Sequence, residues 1–171
     1  MNGSIGRLVI AVAVLVAGWW VYGWLFSDSR RIERELEEIR ELLSKSGHEA
    51  ELAAVARAGD VTGRFADPFE VRARDYGGSM TDRRSVAGTI HRYRSSADRI
   101  AVIFSDHDLT VDGSRATMEF VAEFQTTLLD GLSGSERYRF RIDWREQDGD
   151  WRIALVDLLE VVEGPRGGWP F

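Results

Sequence analysis

Residues 8–26 read LVIAVAVLVAGWWVYGWLF, an apolar run with no charge and no polar face. At about 1.5 Å per residue such a run crosses roughly 30 Å of hydrocarbon as one helix. Aromatics crowd its C-terminal end (Trp19, Trp20, Tyr22, Trp24 and Phe26), where ring side chains favour a headgroup layer. The pattern predicts an uncleaved, single-pass transmembrane anchor within 1–27. A secretory signal would carry small residues at a cleavage site instead. The pattern then changes period. In 28–47, Ile32, Leu36, Ile39 and Leu43 recur at spacings of four, three and four among charges, which predicts an amphipathic helix. Two uses stay open for it: packing on its own domain, or pairing with a second copy as a short charged stalk. Two heptads are short for a coiled coil.

A soluble domain is expected over 48–163. Residues 49–58 predict a helix with Leu52, Val55 and Ala56 on its buried face, stopped by Gly59 and Asp60. Phe69–Arg74 alternates as a short strand. After a turn at 76–78, Thr81 or Asp82 is placed to cap a helix running to about Ser95, with Val86, Ile90 and Tyr93 turned inward. Four long strands follow. Ile100, Val102 and Phe104 alternate in the first, and Asp112-Gly113 signals a hairpin turn. Ala116, Met118, Phe120, Ala122 and Phe124 alternate in the second; Tyr138, Phe140, Ile142 and Trp144 in the third; Trp151, Ile153 and Leu155 open the fourth. The tail, 164–171, is rich in Gly and Pro and is expected to be flexible and irregular. Helices first and an antiparallel meander afterwards predict an α+β fold: helices on a curved sheet of four long strands plus a short one.

Composition narrows the function classes. Twenty-two Lys and Arg against 28 Asp and Glu give a formal net charge of −6, with no basic footprint for a phosphate backbone, so no nucleic-acid partner is expected. The chain has no cysteine, which excludes disulfides, thiolate catalysis and cysteine-ligated metal. Arg30, Arg31, Arg34, Arg40 and Lys45 follow the apolar run and Arg7 precedes it. By the positive-inside rule this places the domain on the cytoplasmic side of an inner (plasma) membrane. The periplasmic alternative stays open, because a short N-terminal tail more often remains inside.

The polar face of the predicted sheet carries Glu119, Glu123, Arg139, Arg141, Asp143 and Arg152, read as a solvated or dimer-facing ladder. His107 sits between Asp106 and Asp108; with no second cluster beside it, a solvent-facing turn is expected and no metal site.

The stretches LTVDGSRATMEF at 109–120 and YRFRIDWREQDGDWRIALV at 138–156 carry a resemblance. A strand, an Asp-Gly hairpin, and then Trp144, Gly149, Trp151 and Ile153 at these spacings resemble the nuclear transport factor 2-like fold, also called cystatin-like or SnoaL-like, over about residues 49–163. The resemblance implies a cone whose interior can hold a small molecule. Phe65, Phe69, Tyr76, His91, Tyr93, Phe104 and Trp144 are then the candidate pocket residues. Enzymes of this superfamily, such as ketosteroid isomerases and scytalone dehydratase, place acids, tyrosines or histidines inside the cone. Here the inward strand positions are almost all apolar, and His91 and Tyr93 are two residues apart on one helix, so they do not share a face. No catalytic group and no cofactor is therefore assigned. The superfamily also supplies non-enzymatic domains behind a single membrane helix, including type IV secretion subunits and proteins of mycobacterial lipid-import complexes. The expected function is a membrane-tethered interaction or assembly domain with a protein partner, dimeric through the outer sheet face. The alternative is a small-molecule binder or enzyme using the apolar cone.

Overall fold

A computed structural model describes Gly23, residues 27–73 and residues 78–164. Apart from Gly23, the expected anchor Leu8–Phe26 lies outside the described residues, as do Tyr76 and the tail beyond Gly164. No described helix is long and apolar enough to cross a membrane.

Three helices pack on a curved, seven-stranded sheet. In chain order these are α1 (Asp28–Leu43), β1 (Lys45–Ser46), α2 (Glu51–Thr62), β2 (Phe65–Ala73), β3 (Gly78–Met80), α3 (Arg83–Ser96), β4 (Ala97–Asp112), β5 (Arg115–Leu128), β6 (Ser133–Gln147) and β7 (Asp150–Glu163). The sheet order is β1-β4-β5-β6-β7-β2-β3. The four long strands form the expected meander. The single short strand expected beside them is instead three: β2 has nine residues, and β1 and β3 extend the two edges. The sheet is not wholly antiparallel either, because β2 runs parallel to β7.

Two of the long hairpins close by local chemistry. Asp148 and Gly149 both take positive φ, 54° and 83°, as a two-residue type I′ loop requires. Gly113, at φ 58°, opens the β4–β5 turn. That two-residue loop is Gly113-Ser114, one position later than expected, because Asp112 already pairs with Arg115. A register shift between Ser105 and Asp108, with Asp106 at φ 50°, bends β4.

α1 belongs to this domain. Ile32, Leu36 and Ile39 are buried in the main core with Trp144, Met118 and Phe120, each contributing about 1.5–3 kcal/mol when fully buried. Its first turn is tied to the far hairpin: Trp151 Nε1 donates to Asp28 at 3.1 Å, and Arg31 donates to the Gly149 carbonyl. A boundary at residue 48 with a separate stalk before it does not hold, because the apolar stripe of this helix is consumed by its own sheet.

α2 corrects a second expectation. It runs through Gly59 and Asp60 to Thr62, and its buried residues are Ala54, Ala58, Val61 and Thr62. Leu52 and Val55 are exposed. Hydrophobicity alone favours the side with the larger apolar residues; the narrow alanine face, which lets α2 approach closely, is packed instead. α3 starts as expected, with Asp82 accepting from the backbone N–H groups of Arg84 and Ser85. Its Arg94 is buried, donating to both oxygens of Glu49 and to the carbonyls of Leu42, Leu43 and Ser44 that end α1.

Candidate functional site

The inner face of the sheet alternates as its sequence demands. Ala116, Met118, Phe120 and Ala122 of β5 and Ile142 and Trp144 of β6 face the helices and join one core cluster with Phe65, Phe69, Val61 and Val86. Of the expected pocket residues, Phe65, Phe69 and Trp144 are 6%, 7% and 1% exposed. Rings meet rings across the space: Phe65–Phe69 centroids lie 4.8 Å apart, Phe104–Phe120 4.9 Å and Phe120–Phe140 6.0 Å. These are contact distances for aromatic pairs. The inner end of the cone is thus a packed core rather than a chamber.

Polar groups enter this interior toward the β5–β6 hairpin. Tyr93 of α3 shares a hydrogen bond of 2.6 Å with Thr126 of β5, and the Tyr138 hydroxyl donates to Glu136 at 2.7 Å. Burial pushes the Tyr93 hydroxyl above its ordinary pKa; the Thr126 bond opposes this and the nearby Glu136 charge adds to it. Tyr93 is therefore neutral at physiological pH and its hydroxyl is engaged. Thr126 and Glu136 do not stand out in the sequence, and Tyr138 stands out only as part of an alternating strand. The usable signal was periodicity, since Thr126 continues the inward series of β5 two residues past Phe124. His91 is not drawn into this cluster: it makes no hydrogen bond to Tyr93 or to its partners, and its Nδ1 is buried with no hydrogen-bond partner. Trp144 Nε1 is also buried and unpartnered. Among the described residues no carboxylate bonds to a histidine, and acid–base catalysis needs a group within hydrogen-bond reach of the proton it moves.

On the outer face the expected ladder forms in part. Glu119 is registered opposite Arg141, and Glu123 opposite Arg137. Arg139 lies 3.6 Å from Glu160, and Arg141 lies 3.4 Å from the buried Asp157 and 3.8 Å from Asp143. Hydrogen bonds from Gln125 and Ser135 hold Glu123 below the usual carboxylate range. Arg152 does not join this ladder. It turns to Asp150 and to the Gly63 carbonyl, at a groove of about 640 Å³ between α1, α2 and the start of β7, lined by Glu38, Glu41, Arg57, Asp60, Arg64 and Arg152. His107 stands exposed beside the bend in β4, and no group of three or more potential metal ligands occurs among the described residues.

A SnoaL-like domain model matches residues 33–157. The chain belongs to the SnoaL-like family. Its match begins inside α1, in keeping with the packing of that helix. The SnoaL-like domain is similar in fold to a nuclear transport factor 2-like protein with a cystatin-like fold from Novosphingobium aromaticivorans (TM-score 0.65, 16% identity, 88% of this chain and 92% of that one). It is also similar to a candidate scytalone dehydratase from the same organism (TM-score 0.64, 14% identity, 83% and 95%). A third likeness is to a candidate calcium/calmodulin-dependent protein kinase II association domain from Xanthomonas campestris (TM-score 0.61, 12% identity, 78% and 89%). A candidate enzyme and a candidate association domain thus share the fold, and at these identities the likeness shows fold alone. No curated protein sequence matches the chain.

Proposed function

We propose that this SnoaL-like chain is a non-enzymatic interaction or assembly domain tethered to a membrane by Leu8–Phe26, an accessory subunit of a bacterial inner-membrane complex. The observation that carries the reading is the filled interior. Trp144, Phe65, Phe69, Met118 and Phe120 occupy the space where a substrate would sit, so the surfaces are left to do the work. The tether rests on the apolar run itself. Asp28, two residues beyond that run, is already bonded to Trp151, so an anchor ending at Phe26 would join the domain almost without a linker and fix its orientation. The ladder of Glu119, Glu123, Arg139 and Arg141 is the face proposed to meet a second copy, and the positive-inside count favours the cytoplasmic side.

The test is fractionation. The full chain should stay in the membrane pellet after a carbonate wash, and deletion of residues 8–26 should release it as a folded domain. A full chain that leaves the pellet in the wash would remove the tether from the account. One observation favours the second reading, a small-molecule binder or enzyme: the Tyr93–Thr126 hydroxyl pair inside an otherwise apolar lining, on a fold shared with a candidate dehydratase.

A further inference from the structure

α2 is covered on one narrow face only. Leu52 is 85% exposed and Val55 52%. A single exposed leucine is ordinary on a protein surface; the direction of this stripe is not. Positions 52, 55, 59 and 63 follow at spacings of three, four and four, so they lie on one side of the helix and its C-terminal turn. Gly59 and Gly63 line the groove between α1 and α2. The apolar stripe therefore opens directly into that groove, whose volume of about 640 Å³ is within the range of ligand sites.

The charges of the groove are unequal in their commitments. Arg57 pairs with Glu49 at 3.1 Å, Arg64 with Glu35 at 2.5 Å and Glu38 at 2.6 Å, and Arg152 with Asp150 at 2.9 Å. Glu41 and Asp60 close no ion pair and accept no hydrogen bond among the described residues. Glu49 is shared between Arg57 and the buried Arg94, so the pairs do not close one to one; with all partners counted, six carboxylates (Glu35, Glu38, Glu41, Glu49, Asp60 and Asp150) stand against four arginines (Arg57, Arg64, Arg94 and Arg152), and the balance is negative beside exposed apolar surface. An anionic occupant would meet these carboxylates with like charge. A second copy on a two-fold axis along the stripe would set acid against acid. A helix of α2's length also offers far less than the roughly 800 Å² per partner of a stable interface.

We infer that this groove and the exposed stripe of α2 dock a basic amphipathic segment of a partner protein. Its apolar side chains rest on Leu52 and Val55, and a Lys or Arg enters between Glu41 and Asp60 in a charge-assisted contact. The inference rests on the interaction-domain reading above and names the surface and the partner's chemistry.

Fluorescence anisotropy tests it, with the full chain in neutral-detergent micelles, empty micelles as blank, and a labelled Leu/Lys peptide with its leucines at helical spacing as the probe. Binding above the blank is expected. It should weaken by about tenfold or more in the Glu41→Lys/Asp60→Lys double variant and in Leu52→Asp, because truncating a docking charge or anchor costs at least that much. All three positions are exposed, so the fold should survive. Asp108→Lys/Asp112→Lys makes the same change in net charge at exposed positions of β4 and should leave binding unchanged. No binding above empty micelles, or an equal loss in the β4 variant, overturns the inference. Either result leaves the membrane tether standing, and loss of the tether leaves the peptide result standing.

Discussion

Arg94 shows what a single residue carries here. Its guanidinium is 1% exposed and serves five acceptors: both Glu49 oxygens and three carbonyls at the end of α1. Arg94→Met would leave Glu49 to Arg57 alone and take the donor from three carbonyls at the end of α1, so it should cost about 3 kcal/mol in chemical denaturation. Arg94→Lys should lose part of this, since an ammonium cannot span the same acceptors. Asp82 gives a pH-dependent counterpart. Hydrogen bonds from the Ser85 hydroxyl and from the Ser85 and Arg84 backbone N–H groups hold its carboxyl below the usual range. A lowered folded pKa stabilises above the unfolded value and is lost as pH falls through the folded one. The Tm gap between wild type and Asp82→Ala should therefore be full at neutral pH and narrow in acid as Asp82 protonates; a gap independent of pH would remove the charged cap. The Asp82 cap was legible as a residue type before a helical run. Arg94 was not, because one arginine among several on α3 gives no sign that it will be buried; only the convergence of Glu49 and the end of α1 upon it does that.

At the scale of elements, α1 decides where the domain starts. Its stripe of Ile32, Leu36 and Ile39 is in the core, so a fragment beginning after residue 47 lacks part of its own core and should be molten or aggregated. A fragment beginning at residue 27 should melt cooperatively. Within the intact chain, Leu36→Ala should cost about 2–5 kcal/mol, as large-to-small changes in cores do. If both fragments melted alike, α1 would be an appendage after all. The long strands were legible because a period of two with one apolar face leaves a single register. α2 was not: Leu52 and Val55 outweigh Ala54 and Ala58 in hydrophobicity, yet closeness of approach decided which face is packed. β2 was legible as a strand but not in direction, since a parallel neighbour leaves no local mark.

For the molecule as a whole, the central claim is that the cone is core and that function lies on the surface and at the membrane. The aromatic content of the interior was legible from alternation alone. Whether those rings leave a chamber or fill it was not, because it depends on how far the helices settle into the sheet, and Phe65, Phe69 and Trp144 reach their contacts from separate elements. The claim has a stability side: Trp144→Ala should cost about 3–5 kcal/mol, the usual result of emptying a packed aromatic site. The most direct measurement is thermal shift of the full chain in neutral-detergent micelles against a panel of apolar and steroid-like compounds. A filled cone predicts no saturable rise in Tm with any of them. A saturable rise that disappears in Tyr93→Phe would show a working pocket beside the Tyr93–Thr126 pair and would contradict the account.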